Sequence, residues 1–590
     1  MCGIVGYVGA RRAAPVLLDG LSRLEYRGYD SAGIAVVGAG GGISHVRRKG
    51  RVAALESART LAGNCGIGHT RWATHGAPSE RNAHPHRYQN VCLVHNGILE
   101  NAASLKEACL ARGERFSSDT DSEVAVHLIA RFLQEEGELL RAVARATALL
   151  SGSYAFAVLC EGREEIVCAR RRSPLLVAVG EGEAFAASDA AAFPGAGRRA
   201  YALEDGEFAR LTRAGVEVFD AHLQRAARTF FPLPEGGALS QKGAFRHFMR
   251  KEIAEVPMAA QRSLSAARKM ANSQLCEVLC QTKYLHIVAC GTAYHSGLCM
   301  KVAAESLARV PTEVFLASEY RYADPIVPAG GLTIAVSQSG ETADTLAAAE
   351  LAKERGSTLL ALTNVEHSSL SRLADVCLFT RAGQEVAVAA TKSFSAQLAA
   401  LYTLAVRLAE ARGRSAPRLR NVAALCRAAI GAGEGTRAWA PSFTGARSVF
   451  FLGRGADRCA ALEGSLKLKE VSYLPGEGYA AGELKHGTLA LVDEGTPVVA
   501  VVCDRALADK TMNAVHEVYA RGAPVFLVTP FAELARAKEV CGSVLLPACA
   551  PVFSPLVSVI PLQLLAYHVA VAMGRDPDKP RNLAKSVTVE

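Results

Sequence analysis

The sequence lacks several patterns that would place it in a simple class of protein. No two of its 16 cysteines are separated by two residues with Cys or His downstream, so a zinc-ligand spacing is absent. The cysteines fall at irregular intervals in a long chain, unlike the dense framework of a small disulfide-bonded domain. The start lacks the basic stretch, apolar run and cleavage site of a signal peptide. We therefore expect a cytoplasmic protein without a metal site.

An excess of one charge is also missing. Lys and Arg number 66 against 57 Asp and Glu, which gives a formal net charge of +9 spread over the whole chain. The longest basic runs, Arg170 to Arg172 and Arg47 to Lys49, are typical of solvated faces. Since nucleic-acid binding needs basic residues gathered in a stripe, we expect no nucleic-acid partner and only a mild attraction for anionic small molecules.

A long uninterrupted apolar run is absent as well. The best candidate, Leu556 to Met573, is broken by Pro561, Gln563 and His568. Because polar residues at the centre of a membrane helix are costly, this segment is expected to form a core helix of a protein that does not insert into membranes.

What is present is enough chain for several domains. Half of the 590 residues are hydrophobic and 21% are charged, a normal balance for a folded protein that is too long for one core. Pro232 to Lys242 is rich in Pro, Gly and small polar residues and is interpreted as a linker. Ahead of it lie strand-like runs with one helical segment, Asp121 to Leu133, which predicts an α+β unit. The strand-like runs are Gly33 to Val37, Val91 to Val94, Tyr154 to Leu159 and Leu175 to Val179.

Behind the linker a strand–turn–helix pattern occurs twice. LHIVACGTAYHSG from Leu285 is echoed by SVFFLGRGADRCA from Ser448, and LTIAVSQSGETADT from Leu332 by PVVAVVCDRALADK from Pro497. The lag is nearly constant and about one domain in length, which indicates a duplicated fold. Repeated β–α units favour parallel sheets covered by helices, so we predict two sister α/β domains.

The first ten residues, MCGIVGYVGA, carry a candidate nucleophile. If the initiator is trimmed, Cys2 has both a thiol and a free α-amino group. An α-amino group with a pKa of about 8 can accept the thiol proton near neutrality, so no distant base is needed. A cysteine in this position is otherwise typical of a small packing residue.

Other polar residues in the front module could bind a substrate. Asn96 and Gly97 directly follow the run Val91 to Val94, and a side-chain amide with a glycine N–H at a bend could form an oxyanion hole. Arg71 could hold a carboxylate and Asp121 an ammonium group, which together suit an amino-acid zwitterion. Taken singly, an Asn-Gly pair is more typical of an ordinary turn. Arg71 and Asp121, taken singly, are more typical of residues in a surface ion pair.

Polar groups in the rear half could bind a phosphate and move a proton. VSQSGET, Val336 to Thr342, joins a strand to the helical run Glu341 to Arg355, a position where hydroxyls and free amides can hold a phosphate. In LEGSLKLKEVSY, Glu463, Lys467 and Glu470 share one helical face. The VSQSGET pattern is also typical of a Ser-rich helix cap, and the charged pattern is also typical of an exposed row of ion pairs.

Two more candidates lie near the end of the chain. His486 is in a glycine-bounded turn, GELKHG, and in other proteins such a residue is usually a plain loop histidine. The terminal RNLAKSVTVE follows the Pro-rich DPDKP and is expected to be extended rather than helical. A lysine so close to a terminus is normally frayed, but the amine of Lys585 could form an imine with a ketose.

These motifs resemble known families. MCGIVGYVG, LEYRGYDSAG, TRWATHG and HNGILEN resemble the glutaminase module of class II glutamine amidotransferases, and VSQSGET resembles the sugar-isomerase (SIS) phosphosugar-binding domain. The whole chain resembles the family of glutamine–fructose-6-phosphate aminotransferases (isomerizing). The resemblance implies an α+β N-terminal-nucleophile (Ntn) glutaminase domain followed by two α/β SIS domains with parallel sheets.

The resemblance also implies roles for residues of the glutaminase module. Cys2 attacks the glutamine amide, and Asn96 with Gly97 forms the oxyanion hole. The glutamine-binding positions are matched by Arg71, His75 and Asp121. Trp72 matches the residue that gates an internal ammonia channel.

For the rear half, the resemblance implies ring opening by His486, proton transfer between C1 and C2 by Glu470, and an imine between Lys585 and fructose 6-phosphate. Glu463 and Lys467 match supporting charges. The sugar-phosphate contacts are matched by Thr292, Ser337, Gln338, Ser339, Thr342, Val388 and Ala584. Ala293 and Ala390 stand where many relatives have serine, so sugar contacts by those two side chains are not expected.

The resemblance as a whole implies an enzyme that transfers the amide nitrogen of glutamine to fructose 6-phosphate and isomerises the product to glucosamine 6-phosphate. It is expected to need no cofactor and to form a homodimer. The expected domains are residues 2–220, a linker at 221–245, and SIS domains at 246–425 and 426–590. The alternatives are a non-catalytic phosphosugar sensor and another class II amidotransferase, whose acidic phosphoribosyl-diphosphate loop is absent here.

Overall fold

A computed structural model of the chain describes residues 2–193, 198–233, 242–270, 273–327 and 330–588. The chain divides into two compact units. The first comprises Met1–Gln241 together with Ser586–Glu590, and the second comprises Lys242–Lys585. Most of the expected linker Pro232 to Lys242 lies outside the described residues. The expected domain limits therefore stay a prediction.

The first unit contains an eight-stranded and a six-stranded sheet, both antiparallel. The strand order is β14-β11-β9-β10-β1-β4-β2-β3 in the larger sheet and β13-β12-β8-β7-β6-β5 in the smaller one. The strands are β1 (Gly3–Val8), β2 (Ser31–Val37), β3 (Ile43–Lys49), β4 (Cys65–Arg71), β5 (His86–Tyr88), β6 (Val91–Leu99), β7 (Gly152–Cys160), β8 (Ile166–Arg171), β9 (Leu176–Gly180), β10 (Glu183–Ala187), β11 (Arg199–Ala202), β12 (Phe208–Thr212), β13 (Gly215–Phe219) and β14 (Phe231–Pro232).

Alternation along the central strands explains how these sheets pack. In β1, Ile4 and Val8 join the apolar core between the two sheets, while Val5 and Tyr7 point to the opposite face, against the first helix. In β7, Phe156 and its alternate neighbours pack under the two helices that precede this strand in the chain. The result is a four-layer α/β/β/α arrangement. Its helices are α1 (Ala13–Leu24), α2 (Ala102–Leu110), α3 (Ser122–Glu136) and α4 (Leu139–Thr147).

The second unit contains two parallel five-stranded sheets, as the repeated pattern predicted. Their orders, β16-β15-β17-β18-β19 and β21-β20-β22-β23-β24, correspond strand by strand. The strands are β15 (Leu285–Ala289), β16 (Thr312–Leu316), β17 (Leu332–Ser337), β18 (Thr358–Thr363), β19 (Val376–Phe379), β20 (Val449–Gly453), β21 (Gly476–Ala480), β22 (Val498–Val501), β23 (Val525–Thr529) and β24 (Val540–Leu545).

Helices of the second unit bring its two sheets together around one large apolar core. That core includes buried residues from long helices of both halves of the repeat. The helices are α5 (Phe248–Lys269), α6 (Ser273–Gln281), α7 (Gly291–Ala303), α8 (Ala317–Tyr320), α9 (Ala343–Glu354), α10 (Ser369–Leu373), α11 (Lys392–Ala411), α12 (Val422–Gly433), α13 (Pro441–Thr444), α14 (Ala456–Ser472), α15 (Arg505–Tyr519) and α16 (Pro555–Ala572).

Helix α16 contains most of the apolar segment considered above. The stretch Pro551–Ala572 is long and apolar enough to cross a membrane by length and composition, with a mean hydropathy of 1.7. In the structure, 83% of it is buried inside the protein. The expected core helix is confirmed, because its neighbours are other protein helices, including α12 and α14.

Candidate active site

Cys2 lies immediately before β1, next to the end of β4. The pairing of Gly3 with Thr70 places the side chain of Cys2 beside Trp72. The backbone N–H of Trp72 donates to Cys2 Sγ over 3.4 Å, and Sγ lies 3.6 Å from the Trp72 carbonyl oxygen. The thiol is half-buried. The antiparallel register of two central strands therefore holds the candidate nucleophile.

Asn96 reaches the same point from the other sheet. Its Nδ2 donates to the Cys2 carbonyl oxygen over 3.0 Å. The expectation that Asn96 and Gly97 come after a strand is wrong, because β6 continues through both of them to Leu99 and pairs with β7. The irregularity lies within the strand: Gly97 has φ of 134°, and a Cβ there would lie 2.1 Å from the Ser153 carbonyl oxygen. Only glycine fits at this position.

His69, which belongs to none of the motifs singled out in the sequence, orients Asn96. Its Nε2 lies 3.0 Å from Asn96 Oδ1 and 2.9 Å from the His95 carbonyl oxygen, so an N–H on Nε2 can donate to both. Burial lowers the pKa of His69 to about 3, despite these hydrogen bonds to His95 and Asn96. The neutral imidazole fixes the amide oxygen of Asn96, which leaves the NH₂ group facing Cys2.

Arg71 is buried at the end of β4, with 3% of its surface exposed. Its Nη2 donates to the carbonyl oxygens of His75 and of Gly76, the latter over 3.1 Å, while the buried Nη1 has no partner among the described residues. Burial lowers the pKa of Arg71, against the opposing effect of Cys2, Asp121 and Asp30. The guanidinium thus retains hydrogen-bonding capacity for an anion.

The other two predicted glutamine-binding residues have different surroundings. Asp121 precedes α3, and its Oδ2 accepts from the Leu99 N–H over 2.8 Å. The ring of His75 is exposed and contacts Thr74, so its backbone rather than its imidazole meets Arg71. Cys2, Asn96 and Arg71 are brought together, with Asp121 near enough to act on Arg71 electrostatically.

The predicted phosphate loop of the second unit runs from β17 to α9. Ser337 Oγ lies 2.9 Å from Thr342 Oγ1 and accepts from the Gly340 N–H over 3.0 Å, and Ser339 Oγ accepts from the Glu341 N–H over 3.2 Å. Gly340 has φ of 68°, and a Cβ there would lie 2.2 Å from Ser368 Oγ. Hydroxyls and the helix N-terminus point to one concave turn, an arrangement suited to a phosphate.

Thr292, at the start of α7, connects the two SIS-like halves. Lys467 Nζ donates to Thr292 Oγ1 over 2.9 Å and to Glu470 Oε2 over 2.5 Å. Thr292 Oγ1 in turn donates to Glu463 Oε1 over 3.0 Å. The predicted helical face of α14 therefore does carry the three charges. It is not the exposed ion-pair row of the alternative interpretation, because the side chains of Glu463 and Lys467 have no exposed surface.

Burial shapes the charge of this network. Burial alone would lower the pKa of Lys467, but Glu470 and Glu463 outweigh it and raise that pKa, so Lys467 stays charged. Burial raises the pKa of Glu470, and Glu463 adds to the effect, against the attraction of Lys467. A raised pKa makes a carboxyl group better suited than an ordinary one to accept and then release a proton.

Lys585 lies in a segment that is not helical, as predicted, although it contains turns and bends rather than a fully extended chain, and the lysine is not frayed. Its Nζ donates to Glu385 Oε2, and only 3% of its side chain and none of that of Glu385 is exposed. Burial alone would raise the pKa of Glu385, but the charge and hydrogen bond of Lys585, with hydrogen bonds from Ser393, lower it to about 2. A terminal lysine is thereby held as a buried, paired ammonium group.

The remaining predicted residues fall into two groups. Val388 is buried and donates its N–H to the Asp578 carbonyl oxygen over 3.0 Å, in the loop that carries Glu385. Ala584 is half-buried next to Lys585. His486 is exposed in a short helical turn, and no contact among the described residues joins it to the charges on α14. The structure therefore brings Glu470 but not His486 into the Lys467 network.

Two further residues of this site were missed in the sequence. His295 Nδ1 lies 2.8 Å from Glu463 Oε2, and Glu385 is the counter-ion of Lys585. A signal existed for His295, since it lies one helical turn after Thr292 and faces the same way. Glu385 lies in an irregular loop 200 residues from Lys585, so no periodicity points to it.

Comparison with known proteins gives the same division of the chain. A family model described as "SIS domain" matches residues 279–407 and 442–573, and one described as "Glutamine amidotransferase domain" matches residues 69–194. The first model covers both parallel sheets from β15 to α16, and the second covers the strands around Asn96.

Full-length relatives carry one name. The chain is 46% identical over 605 residues to the glutamine–fructose-6-phosphate aminotransferase [isomerizing] of Legionella pneumophila strain Paris. It is 45% identical over 607 residues to that of Thermus thermophilus, and 44% over 612 residues to that of Clostridium tetani. Each alignment covers 100% of both chains.

Solved structures agree for the second unit. The C-terminal domain of the glucosamine-fructose-6-phosphate aminotransferase of Francisella tularensis is 38% identical, with a TM-score of 0.56, and covers 58% of this chain and 100% of that one. Tagatose-6-phosphate ketose/aldose isomerase of Escherichia coli has a TM-score of 0.50 at 20% identity, covering 60% of this chain and 98% of that one, which shows a shared fold alone. The full-length identity and the paired modules place this chain in the family of glutamine–fructose-6-phosphate aminotransferases (isomerizing).

Proposed function

We propose that this chain transfers the amide nitrogen of glutamine to fructose 6-phosphate and isomerises the product to glucosamine 6-phosphate, releasing glutamate. The observation that carries the proposal is the match, over the whole length of both chains, to relatives with that name. The candidate nucleophile in one unit and the paired lysine in the other fit the two halves of the reaction. The alternative of a non-catalytic sensor gains no support from these relatives.

In the first unit, the thiolate of Cys2 attacks the glutamine amide carbon, and ammonia leaves as a thioester forms. The hydrogen bond from His69 to Asn96 Oδ1 and that from Asn96 Nδ2 to the Cys2 carbonyl oxygen support Asn96 Nδ2 as a donor to the developing oxyanion, with the N–H of Gly97 as the second. Arg71 Nη1, which has no partner within the part of the chain that the structure describes, is suited to the substrate carboxylate. Asp121 and His75 complete the proposed glutamine site.

In the second unit, the proposed sugar-phosphate site is the loop between β17 and α9, together with the start of α7. Lys585 forms an imine with the open-chain ketose, and Glu470 moves the proton between C1 and C2, for which its raised pKa is suited. Glu463 and Lys467 hold Glu470 in place, and His486 opens the ring. The proposed phosphate and sugar contacts are Thr292, Ser337, Gln338, Ser339, Thr342, Val388 and Ala584.

The proposal extends to assembly and location. We propose a homodimer that acts in the cytoplasm without nucleic acid, membrane or cofactor, with an ammonia channel between the two reactions. Exposure of His486 is compatible with a site that is completed near a subunit interface. A channel has a chemical reason, because ammonia released into water is protonated and lost as a nucleophile.

Incubation of the purified chain with glutamine and fructose 6-phosphate tests the activity directly. Glucosamine 6-phosphate and glutamate should form in equal amounts, read by a hexosamine assay and by amino-acid analysis. A reaction with glutamine and no sugar is the control for plain hydrolysis. A sensor would give no hexosamine at all, and another class II amidotransferase would release glutamate without using this ketose.

Replacement of Trp72 by alanine tests the proposed gate. We expect the yield of glucosamine 6-phosphate per glutamine consumed to fall well below one, since ammonia would escape, while glutamine hydrolysis continues. The backbone of Trp72 contacts Cys2, so the substitution leaves those backbone contacts in place. Trp72→Phe is the matched control and should retain most of the coupling. An unchanged yield in Trp72→Ala would show that Trp72 is not the gate.

A further inference from the structure

Glu252, on α5, is a buried acid with an unusual set of partners. Its surface is 1% exposed, and Oε1 accepts from the backbone N–H groups of Val386 over 2.5 Å and Ala387 over 3.3 Å. Its Oε2 is buried without a hydrogen-bond partner among the described residues. An ionised carboxylate left this way would be far more costly than a neutral carboxylic acid, which buries an unbonded polar group but no charge.

The loop that Glu252 holds carries two groups of the proposed sugar site. Glu385 comes directly before Val386, accepts from the N–H groups of Thr391 over 2.9 Å and Ser393 over 3.0 Å, and pairs with Lys585. Val388, a proposed sugar contact, comes directly after Ala387. Glu252 is therefore one link removed from the amine that would attack the ketose.

The cations that act on Glu252 are each paired with another acid. The groups that act on it electrostatically are Glu385, Lys585 and Lys392. Lys585 is bonded to Glu385, and Lys392 Nζ to Glu255 Oε2 over 2.6 Å. Farther along, Lys467 is bonded to Glu470 on α14. Because each cation is already matched by another acid, a second carboxylate beside Glu385 would be uncompensated.

We propose that Glu252 is a positioning residue for the imine-forming lysine: as a neutral carboxylic acid it binds the backbone of residues 386 and 387 and so sets Glu385 against Lys585. The inference rests on the imine role of Lys585 proposed above. Gln has the same shape and the same acceptor oxygen without the charge, so Glu252→Gln should preserve the function, whereas Glu252→Ala removes the acceptor.

The pH dependence follows from the same surroundings. Burial, and next the charge of Glu385, raise the pKa of Glu252 from 4.5 to about 8, against the opposing effect of Lys585, the Val386 N–H and Lys392. Above that pH an additional negative charge appears beside Glu385, which favours the ammonium form of Lys585 over the free amine. The free energy of unfolding also falls as the pH rises. The stabilising contribution of the neutral Glu252 side chain is complete below about pH 4.5 and is lost as the pH rises toward 8.

Kinetics of the full-length chain at saturating glutamine test the proposal. Glu252→Ala should raise KM for fructose 6-phosphate and lower kcat/KM roughly 10- to 100-fold, since a small displacement of an attacking group is costly. Glu252→Gln should match the parent at about pH 6.5 and exceed it at about pH 9, and it should raise the melting temperature at about pH 8 but not at about pH 5. Activity is compared as a ratio to the parent, so that other titrating groups cancel.

A matched control lies one turn along α5. Burial alone would raise the pKa of Glu255, but hydrogen bonds and charges of Lys392 and Lys251 outweigh it and lower that pKa. Glu255→Gln should therefore give a ratio to the parent that does not vary with pH above about 6.5. The proposal is overturned if Glu252→Gln is as impaired as Glu252→Ala, since an ionised carboxylate is then required. It is equally overturned if the ratio for Glu252→Gln is independent of pH.

Trapping with cyanoborohydride separates this proposal from the one it rests on. Fructose 6-phosphate should become attached to Lys585 of the parent through a reduced imine, as identified by peptide mass, with water lost and hydride added to the C=N bond. If the parent carries no label on Lys585, the imine role is wrong. If the parent is labelled and Glu252→Ala is labelled at the same rate, the imine role stands and the role of Glu252 is wrong.

Discussion

Replacement of Lys585 by arginine should abolish the synthesis of glucosamine 6-phosphate, with a fall in kcat of at least about 10³-fold. A guanidinium can keep the buried pairing with Glu385 but cannot form an imine with a ketose. Alanine would be a poorer choice, because removal of one partner of a buried ion pair costs about 3–5 kcal/mol and confuses chemistry with stability. Glutamine hydrolysis should continue, since Cys2 lies in the other unit. The measurements are hexosamine formation and glutamate release on the same samples.

An exposed lysine provides the control for Lys585→Arg. Lys469 lies on the solvent side of α14, between the buried Lys467 and Glu470, so Lys469→Arg makes the same chemical change outside the site. Its synthesis rate should equal that of the parent. More than a tenth of the parental rate remaining in Lys585→Arg would exclude Lys585 as the imine-forming residue.

Cys2→Ala should abolish both glutamine hydrolysis and glutamine-dependent synthesis, again by at least about 10³-fold, because the thioester cannot form. The substitution removes one sulfur atom at the start of β1 and leaves the hydrogen bond from Asn96 to the Cys2 carbonyl oxygen intact. Folding should therefore be little affected. Glutamate release is the direct measurement, and binding of fructose 6-phosphate should be retained.

Labelling of Cys2 tests the same chemistry independently of kinetics. A glutamine-like alkylating reagent should add one label to the parent, on Cys2, in a chain whose intact mass shows that Met1 has been removed. Cys541 is exposed, so Cys541→Ala is a matched control that should keep both the label and the activity. Hydrolysis by a chain that retains Met1 would exclude the α-amino group as the base.

Much of the fold could be predicted from local pattern. The alternation in the front half and the repeated strand–turn–helix order behind it are local properties, and they predicted the α+β unit and the two parallel sheets that are observed. Boundaries were less accurate at Asn96 and Gly97, which lie inside β6. A glycine with positive φ looks like the end of a strand in sequence, whereas pairing with β7 continues past it.

The candidate site was predictable only in part. Residues placed by helical spacing could be predicted, whereas contacts between residues far apart in the chain could not. Glu463, Lys467 and Glu470 could be placed on one face because helical spacing alone decides it. The partners of those residues could not be predicted in the same way, because His295 and Thr292 contact Glu463 from the other half of the repeat. They lie 168 and 171 positions earlier in the chain. The roles assigned to the site residues stay predictions until the variants above are made.

The sequence by itself determined which modules the chain contains and which side chains can perform chemistry, since strand and helix periodicity and short motifs such as VSQSGET are encoded by neighbouring residues. Only the tertiary structure decided what surrounds those side chains: His69 against Asn96, Glu385 against Lys585, and Glu252 beneath their loop. Packing joins segments that are far apart in the chain, and burial then sets the charge of each acid and base, so neither effect is encoded in a local stretch of sequence.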